Sequence, residues 1–238
     1  MTVLSLAAWL NGLGQDFYRN FIFEDRYMWL LRGLWNTLLM TLFAGLIGIL
    51  IGLVLSLIRV LHKSGAKIGI LNAFANLYIT VIRGTPVVIQ ILIINFVIFA
   101  SVSVSKLLVA SIAFGINSGA YVAEIFRAGI NSVDVGQAEA ARSLGLSYGQ
   151  SMRLVVLPQA VKNVLPTLFN ELITLLKETS IAGYIAFTDL TRAGDNIRAL
   201  TFSAMPLLLV AVIYLAVVLL MTFVLRRLEQ RLASSDRG

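Results

Sequence analysis

Polar side chains interrupt the otherwise apolar stretch 164–187, among them Asn170, Glu171, Thr174, Lys177, Glu178, Thr179 and Ser180. A charged side chain at the centre of a bilayer costs about 2.5–3.5 kcal/mol on insertion scales. A lone helix carrying three of them is a poor span, so this segment must line a protein interior or a wet cavity. Glu171, Thr174 and Glu178 stand at i, i+3 and i+7 and share one helix face. Lys177 lies off that face and could pair with a neighbouring helix. A second polar set, Ser111, Asn117 and Ser118, falls within the apolar stretch 107–123. The chemistry on offer is non-covalent. Glu171 can hold a cationic group, and Asn117, Ser118, Asn170, Thr174 and Thr179 can donate or accept hydrogen bonds. Two structural readings stand beside this one: Glu171 could form an ion pair with Lys177 or Arg83, and Asn117 could make an interhelical hydrogen bond.

Other chemistry lacks its residues. The chain has no cysteine and a single histidine, His62, beside Lys63 in a basic stretch that reads as a solvated loop. It therefore offers neither a thiolate nor a paired-histidine metal site, and no nucleophile-and-base constellation. There is no Gly-x-x-x-x-Gly-Lys-Ser/Thr loop to hold nucleotide phosphates. No cofactor is implied.

Of the 238 residues, 58% are hydrophobic and 13% charged, and the mean hydropathy is +0.88. That is too little charge to cover a soluble surface, so the reading is an all-α polytopic membrane protein of about five transmembrane helices. Leu4–Leu13 is apolar but short, with no basic residue before it, unlike a signal peptide. Residues 17–31 mix aromatics with charges, as an interfacial segment does. Span one is expected over Gly33–Ile58, with Gly45, Gly48 and Gly52 forming a small-residue face for helix packing. Ile68–Ser105 reads as one long helix or as a surface helix followed by a span, with Pro86 kinking or restarting it. Span three is Leu107–Ala123, running on as helix to about Arg127. Span four is Val164–Phe187. Residues 188–203 read as a polar outer loop that could hold a short helix, and the last span, within Ala199–Leu225, starts near Pro206. With the amino terminus outside, inner segments hold twelve Lys or Arg residues and outer segments six. The net charge of +7 thus sets topology by the positive-inside rule and does not point to nucleic acid.

The interval Gln137–Pro158 is the longest polar, helix-forming one between apolar segments. A helix over Gln137–Leu144 should end at Gly145, which tolerates positive φ. Ser147 and Gln150 can form a capping box for a second helix. That helix should stop near Pro158. The charge bias puts this hairpin, residues 131–162, in the cytoplasm. Ala138, Ala140 and Ala141 are small enough to seat closely against another protein.

The spacing Glu139-Ala140-Ala141, three residues, Gly145, nine residues, then Val155-x-Leu157-Pro158 resembles the cytoplasmic signature of ABC importer permeases. Tyr78–Gln90, Asn117–Arg127, Leu157-Pro-Gln-Ala-Val161 and Leu175–Ile181 are similar to permeases of polar amino acid importers, the group handling histidine, arginine and glutamine. The resemblance covers roughly residues 30–225. It implies a type I importer fold in a bacterial inner membrane, with 33–225 as the permease domain, 1–32 as an interfacial or extracytoplasmic segment and 226–238 as a basic cytoplasmic tail. It further implies a second permease subunit, identical or paralogous, a pair of ABC ATPase subunits, an extracytoplasmic amino acid-binding protein and an amino acid substrate. Glu139, Ala140, Ala141, Gly145, Leu146 and Pro158 would then belong to the ATPase-coupling element. Ser101–Lys106 is a shorter connection than the family's pattern. Two rivals remain: a secondary amino acid transporter driven by an ion gradient, with Glu171 and Glu178 as proton carriers, and a non-transporting membrane scaffold. The first would be supported by inverted internal repeats, which are not seen.

Overall fold

A computed structural model describes residue 12 and residues 14–234. All of Leu4–Leu13 except Gly12 lies outside the described residues, as does the end of the basic tail. A π-helical turn (Tyr18–Ile22) and a 3-10 turn (Phe23–Asp25) open the described chain. Glu24 and Asp25 then take left-handed φ values of 55° and 52°, which turns the backbone into α1, Tyr27–Lys63. Arg26 fixes the turn by donating to the Arg19 carbonyl and the Glu24 carboxylate, both at 2.9 Å. At 37 residues α1 is about 56 Å long, so it outruns a hydrocarbon core of about 30 Å. The expected span Gly33–Ile58 is its middle. His62 falls in its last turn, exposed to solvent, rather than in a loop.

After a turn at Gly65, α2 (Gly69–Arg83) leads through Gly84-Thr85-Pro86 into α3 (Val87–Ile93), which a π turn extends to Ile98. The two arms meet at 108°, so Pro86 restarts the helix in a new direction. Its ψ of 133° is extended, as an N-cap requires. Gln90 clasps the elbow: its amide nitrogen donates to the Ile82 carbonyl (2.8 Å) and the Thr85 hydroxyl (2.7 Å).

α4 (Lys106–Asn131) begins at a Ser105 cap and packs along α1 over much of its length. The glycines on that seam have no room for a side chain. A Cβ on Gly48 would lie 2.9 Å from both Cβ and Oγ of Ser118, and one on Gly119 would lie 2.8 Å from Ile51 Cβ. The small-residue face therefore does what its spacing implies, bringing two backbones together.

The hairpin comprises α5 (Val135–Ser143) and α6 (Tyr148–Ser151), with Gly145 at φ +88° between them and the Ser147–Gln150 capping box formed. The second arm does not stop at Pro158, contrary to expectation. A π turn over Met152–Val156 carries it straight into α7, Leu157–Glu178. Pro158 sits in the first turn of that new α run. A proline inside a continuous helix has no N–H to donate and crowds the carbonyl four residues back, and the wider π turn just before it takes up both.

α7 ends in a 3-10 turn, Thr179–Ile185, and α8 (Leu190–Thr201) follows in the stretch expected as an outer loop. Asp189 caps α8 by accepting from Thr191 N at 2.9 Å and Arg192 N at 3.2 Å. Leu190 N donates to the Thr37 hydroxyl at 3.0 Å, which ties α8 to α1. The last helix, α9, is Met205–Ser234. Met40, Ile91, Phe114, Leu175 and Ile185 bury one another where α1, α3, α4, α7 and the 3-10 turn converge.

Among the described residues, α1, α4 and α9 are long and apolar enough to cross a membrane, and the bent α2–α3 pair makes a fourth crossing if counted as one. α7, the remaining expected crossing, has 22 residues but is too polar to qualify by composition. No strand is present among the described residues.

Candidate functional site

The central pair is Ser118 and Glu171. Ser118 Oγ, on α4, donates to Glu171 Oε1, on α7, at 2.9 Å. Both line a cavity of about 200 Å³ between α1, α4 and α7, whose other walls include Gly45, Phe169, Leu172 and Leu175. Glu171 is only half buried. A carboxylate with one hydroxyl donor and apolar walls keeps acceptor capacity for a cationic ligand. Neither ion pair weighed for it is formed. Arg83 lies 3.9 Å from Glu124 instead, and the Lys177 side chain is exposed.

The other candidates divide. Asn117 neighbours Ser118 but points about 100° around α4. Its amide donates to Gln90 Oε1 at 2.9 Å, the interhelical hydrogen bond, and it is buried. Thr179 is fully buried and donates to the Leu176 carbonyl at 2.7 Å. Asn170 and Thr174 are exposed. They stand in a row with Asn163, Thr167 and Lys177, a helical progression of four, three, four and three residues along the open face of α7, and all five are exposed. Glu171 and Glu178 flank this row half buried. Of the substrate candidates, then, the fold joins Ser118 to Glu171, sets Asn170 and Thr174 on the adjoining open face, and occupies Asn117 and Thr179 with the protein's own groups.

On the hairpin, Glu139 and Ala140 are exposed, Gly145 forms the bend, and Leu146 is half buried. Ala141 is buried, and Ala138 packs on the cluster of Val133, Val156 and Ala160. Two of the three alanines thus seat the hairpin on its own base, and Ala140 faces outward. Leu144 at the tip is 86% exposed. Pro158 lies at the root of α7, away from the bend.

Sequence reasoning did not single out Glu124. Its carboxylate collects three guanidiniums near the hairpin end of the bundle. Arg59 from α1 donates to Oε1, Arg127 from the next turn reaches Oε2 at 2.7 Å, and Arg83 stands at 3.9 Å. Arg83 also lies 5.4 Å over the Tyr121 ring. The available signal was a lone acid near the end of an apolar helix with Arg127 at i+3. All three arginines belong to segments expected on the inner side, so their meeting agrees with the charge-based topology.

The family described as binding-protein-dependent transport system inner membrane component matches residues 65–234. The chain is 39% identical over 213 residues to the arginine transport system permease protein ArtQ of Bacillus subtilis (strain 168), covering 87% of this chain and 94% of that one. It is 41% identical over 167 residues to the glutamine transport system permease protein GlnP of Escherichia coli (strain K12), covering 68% and 76%. A crystal structure of an amino acid ABC transporter with histidines superposes with a TM-score of 0.81 at 41% identity, over 89% of this chain and 98% of that one. The MetNI methionine ABC transporter, in inward-facing conformations, shares the fold at a TM-score of 0.74 and 24% identity. Membership implies a multi-pass location in the inner membrane, a separate ATPase, permease partners and a substrate-binding protein. With apolar helices to cross the bilayer, a polar α7 and a projecting hairpin, the chain belongs to the inner membrane components of binding-protein-dependent transport systems, the permease subunits of ABC importers.

Proposed function

We propose that this chain lines half of the path of an importer for polar amino acids, with Glu171 as the acceptor for a cationic group of the substrate. The observation that carries this is the Ser118–Glu171 pair in a cavity beside the open polar row of α7. The cationic group is either the substrate's α-amino group or a basic side chain. Similarity to permeases named for arginine and glutamine supports the substrate class. A second, identical copy supplies the other half of the path, since the polar row of one chain is exposed along α7, with Asn163 alone, among the described residues of the row, bonded elsewhere, to Ser132. Asn170 and Thr174 provide hydrogen bonds from that row. Asn117 and Thr179 support the site at one remove, by holding α3 and the 3-10 turn in place.

The chain itself hydrolyses no nucleotide. Glu139, Ala140, Gly145 and Leu146 present the hairpin, residues 131–162, to the ATPase dimer in the cytoplasm, while Ala141 and Pro158 set its seat and root. Closure of the ATPase pair on ATP moves the hairpin, α4 and α7 together and opens the path outward. Only contacts that differ between the two states can drive such a switch, and the hairpin provides them. An external amino acid-binding protein delivers the substrate.

Vesicles reconstituted with the chain, its ATPase and a binding protein test the reading. Uptake should require ATP on the ATPase side and vanish when the ATPase is omitted. Uptake by this chain alone on an ion gradient would establish the secondary-transporter alternative. Glu171→Gln should remove most uptake while co-purification with the ATPase persists. Gly145→Val forces a β-branched residue to φ +88° and should uncouple ATP hydrolysis from uptake or prevent assembly. Normal coupled transport in that variant would remove the hairpin from the mechanism.

A further inference from the structure

At the hairpin end of the bundle, a basic cavity opens directly into an apolar groove. The cavity, about 330 Å³, lies between α1, α2, α4 and α6. Arg59, Lys63 and Arg127 line it, together with the neutral donors Asn72, Asn76 and Tyr148, and no acidic residue among the described ones does. Among the described residues Glu124 is the one carboxylate paired with these arginines, and Arg59, Arg83 and Arg127 share it. Lys63 makes no ion pair among the described residues. The net charge around the cavity is therefore strongly positive. Amide and phenol donors add the hydrogen bonds that a phosphate, with its several acceptor oxygens, can take.

The adjoining groove, about 650 Å³, has walls that include Leu53, Leu57, Phe126, Leu157 and Val161. Ser56, Val60, Ile130, Tyr148 and Met152 border both spaces, so the two are continuous. Leu53 and Leu57 are exposed on α1, a helix long and apolar enough to cross a membrane, which leaves the groove open along that helix. The three cations are in segments that charge bias puts on the cytoplasmic side, the side on which basic residues meet anionic headgroups.

We propose that this composite site holds one anionic phospholipid, with its phosphate among Arg59, Lys63 and Arg127 and an acyl chain along Leu57 and Phe126. A free phosphate would occupy only the cavity. A purely apolar partner would leave the cations unmatched. A zwitterionic lipid brings its own ammonium into a site already rich in positive charge. The inference goes beyond the import reading and is independent of it.

Native mass spectrometry of the full-length chain in detergent provides the test, with phosphatidylglycerol, phosphatidylethanolamine or inorganic phosphate added. One phosphatidylglycerol per chain should be retained, several-fold more than phosphatidylethanolamine, and inorganic phosphate should neither bind nor displace it at equal concentration. Lys63→Gln and Arg127→Gln should each lower retention about fivefold, and Lys63→Arg should preserve it. Because the Lys63 side chain is exposed and unpaired, its variant keeps the test valid even if Arg127→Gln fails to fold. Equal retention of the two lipids, or no change in Lys63→Gln, overturns the proposal. Displacement by inorganic phosphate would reassign the cavity to a free phosphate, and with it overturn the lipid. The chain has no native cysteine, so Leu57→Cys reports on one further occupant. A disulfide joining two copies through it would make the groove a protein interface and overturn the proposal as well.

Discussion

The α1–α4 seam and the open face of α7 solve the same problem in opposite ways. Along the seam, Gly48 and Gly119 let two helices approach until a single added carbon would collide with Ser118 or Ile51. Along α7, Asn163, Thr167, Asn170, Thr174 and Lys177 form an exposed row, tied to the rest of the chain by the Asn163–Ser132 hydrogen bond at 2.9 Å. Small residues make a dry, immovable contact, because lipid offers no hydrophobic drive and close packing must supply the attraction. A polar row within a membrane-embedded bundle needs water, ligand or another subunit to be tolerable. The seam is therefore the frame of the molecule and the row is the working surface in the function proposed above, with Ser118 joining the seam to Glu171 beside that row. It packs on Gly48 and donates to Glu171.

Breaking the seam should have the largest effect. Gly48→Leu inserts a branched side chain where a Cβ already lies 2.9 Å from Ser118, and overpacking of this kind costs about 1–3 kcal/mol or more. A marked fall in melting temperature in detergent, with loss of monodisperse protein, is the expected readout. An unchanged melting temperature would mean the seam is not tight. Gln90→Leu is intermediate. It leaves the buried Asn117 amide and the Ile82 carbonyl without a partner, worth about 1–3 kcal/mol per buried group, so the elbow between α2 and α3 should loosen while the seam survives. Hydrogen exchange confined to residues 82–95 would show it. The smallest stability effect belongs to the row. Thr174→Val should shift folding stability by less than about 0.5 kcal/mol while reducing uptake in vesicles. A large loss of stability with uptake intact would reverse the assignment of frame and working surface.

How much of this was legible in the chain follows the same division. Gly45, Gly48 and Gly52 announced a packing face through periodicity alone, because close approach demands glycine at every turn. The capping box at Ser147 and Gln150 and the bend at Gly145 were equally readable, since each is fixed by residues within four positions. Pro158 misled, because a π turn is a change of register that no local residue preference advertises. The face shared by Glu171, Thr174 and Glu178 was drawn on an ideal helical wheel. The helix keeps that spacing, and tertiary packing decides what each position meets: Glu171 bonds Ser118 and Thr174 is left exposed. The arginine cluster on Glu124 was hidden because Arg59, Arg83 and Arg127 are far apart in the chain and meet only through tertiary packing. Asn117 could be read either way, and its geometry with Gln90 depends on the elbow angle, which composition does not encode.

The hairpin bend at Gly145 has nothing among the described residues within 4 Å of where a side chain would be, yet its shape is held by its own caps. Such a tip is preorganised. A partner meeting it finds the bound geometry in place and loses little conformational entropy on docking. Weakening the Ser147–Gln150 box would therefore cost affinity for whatever docks there, through a segment that must first be ordered, and would leave the membrane bundle as it was.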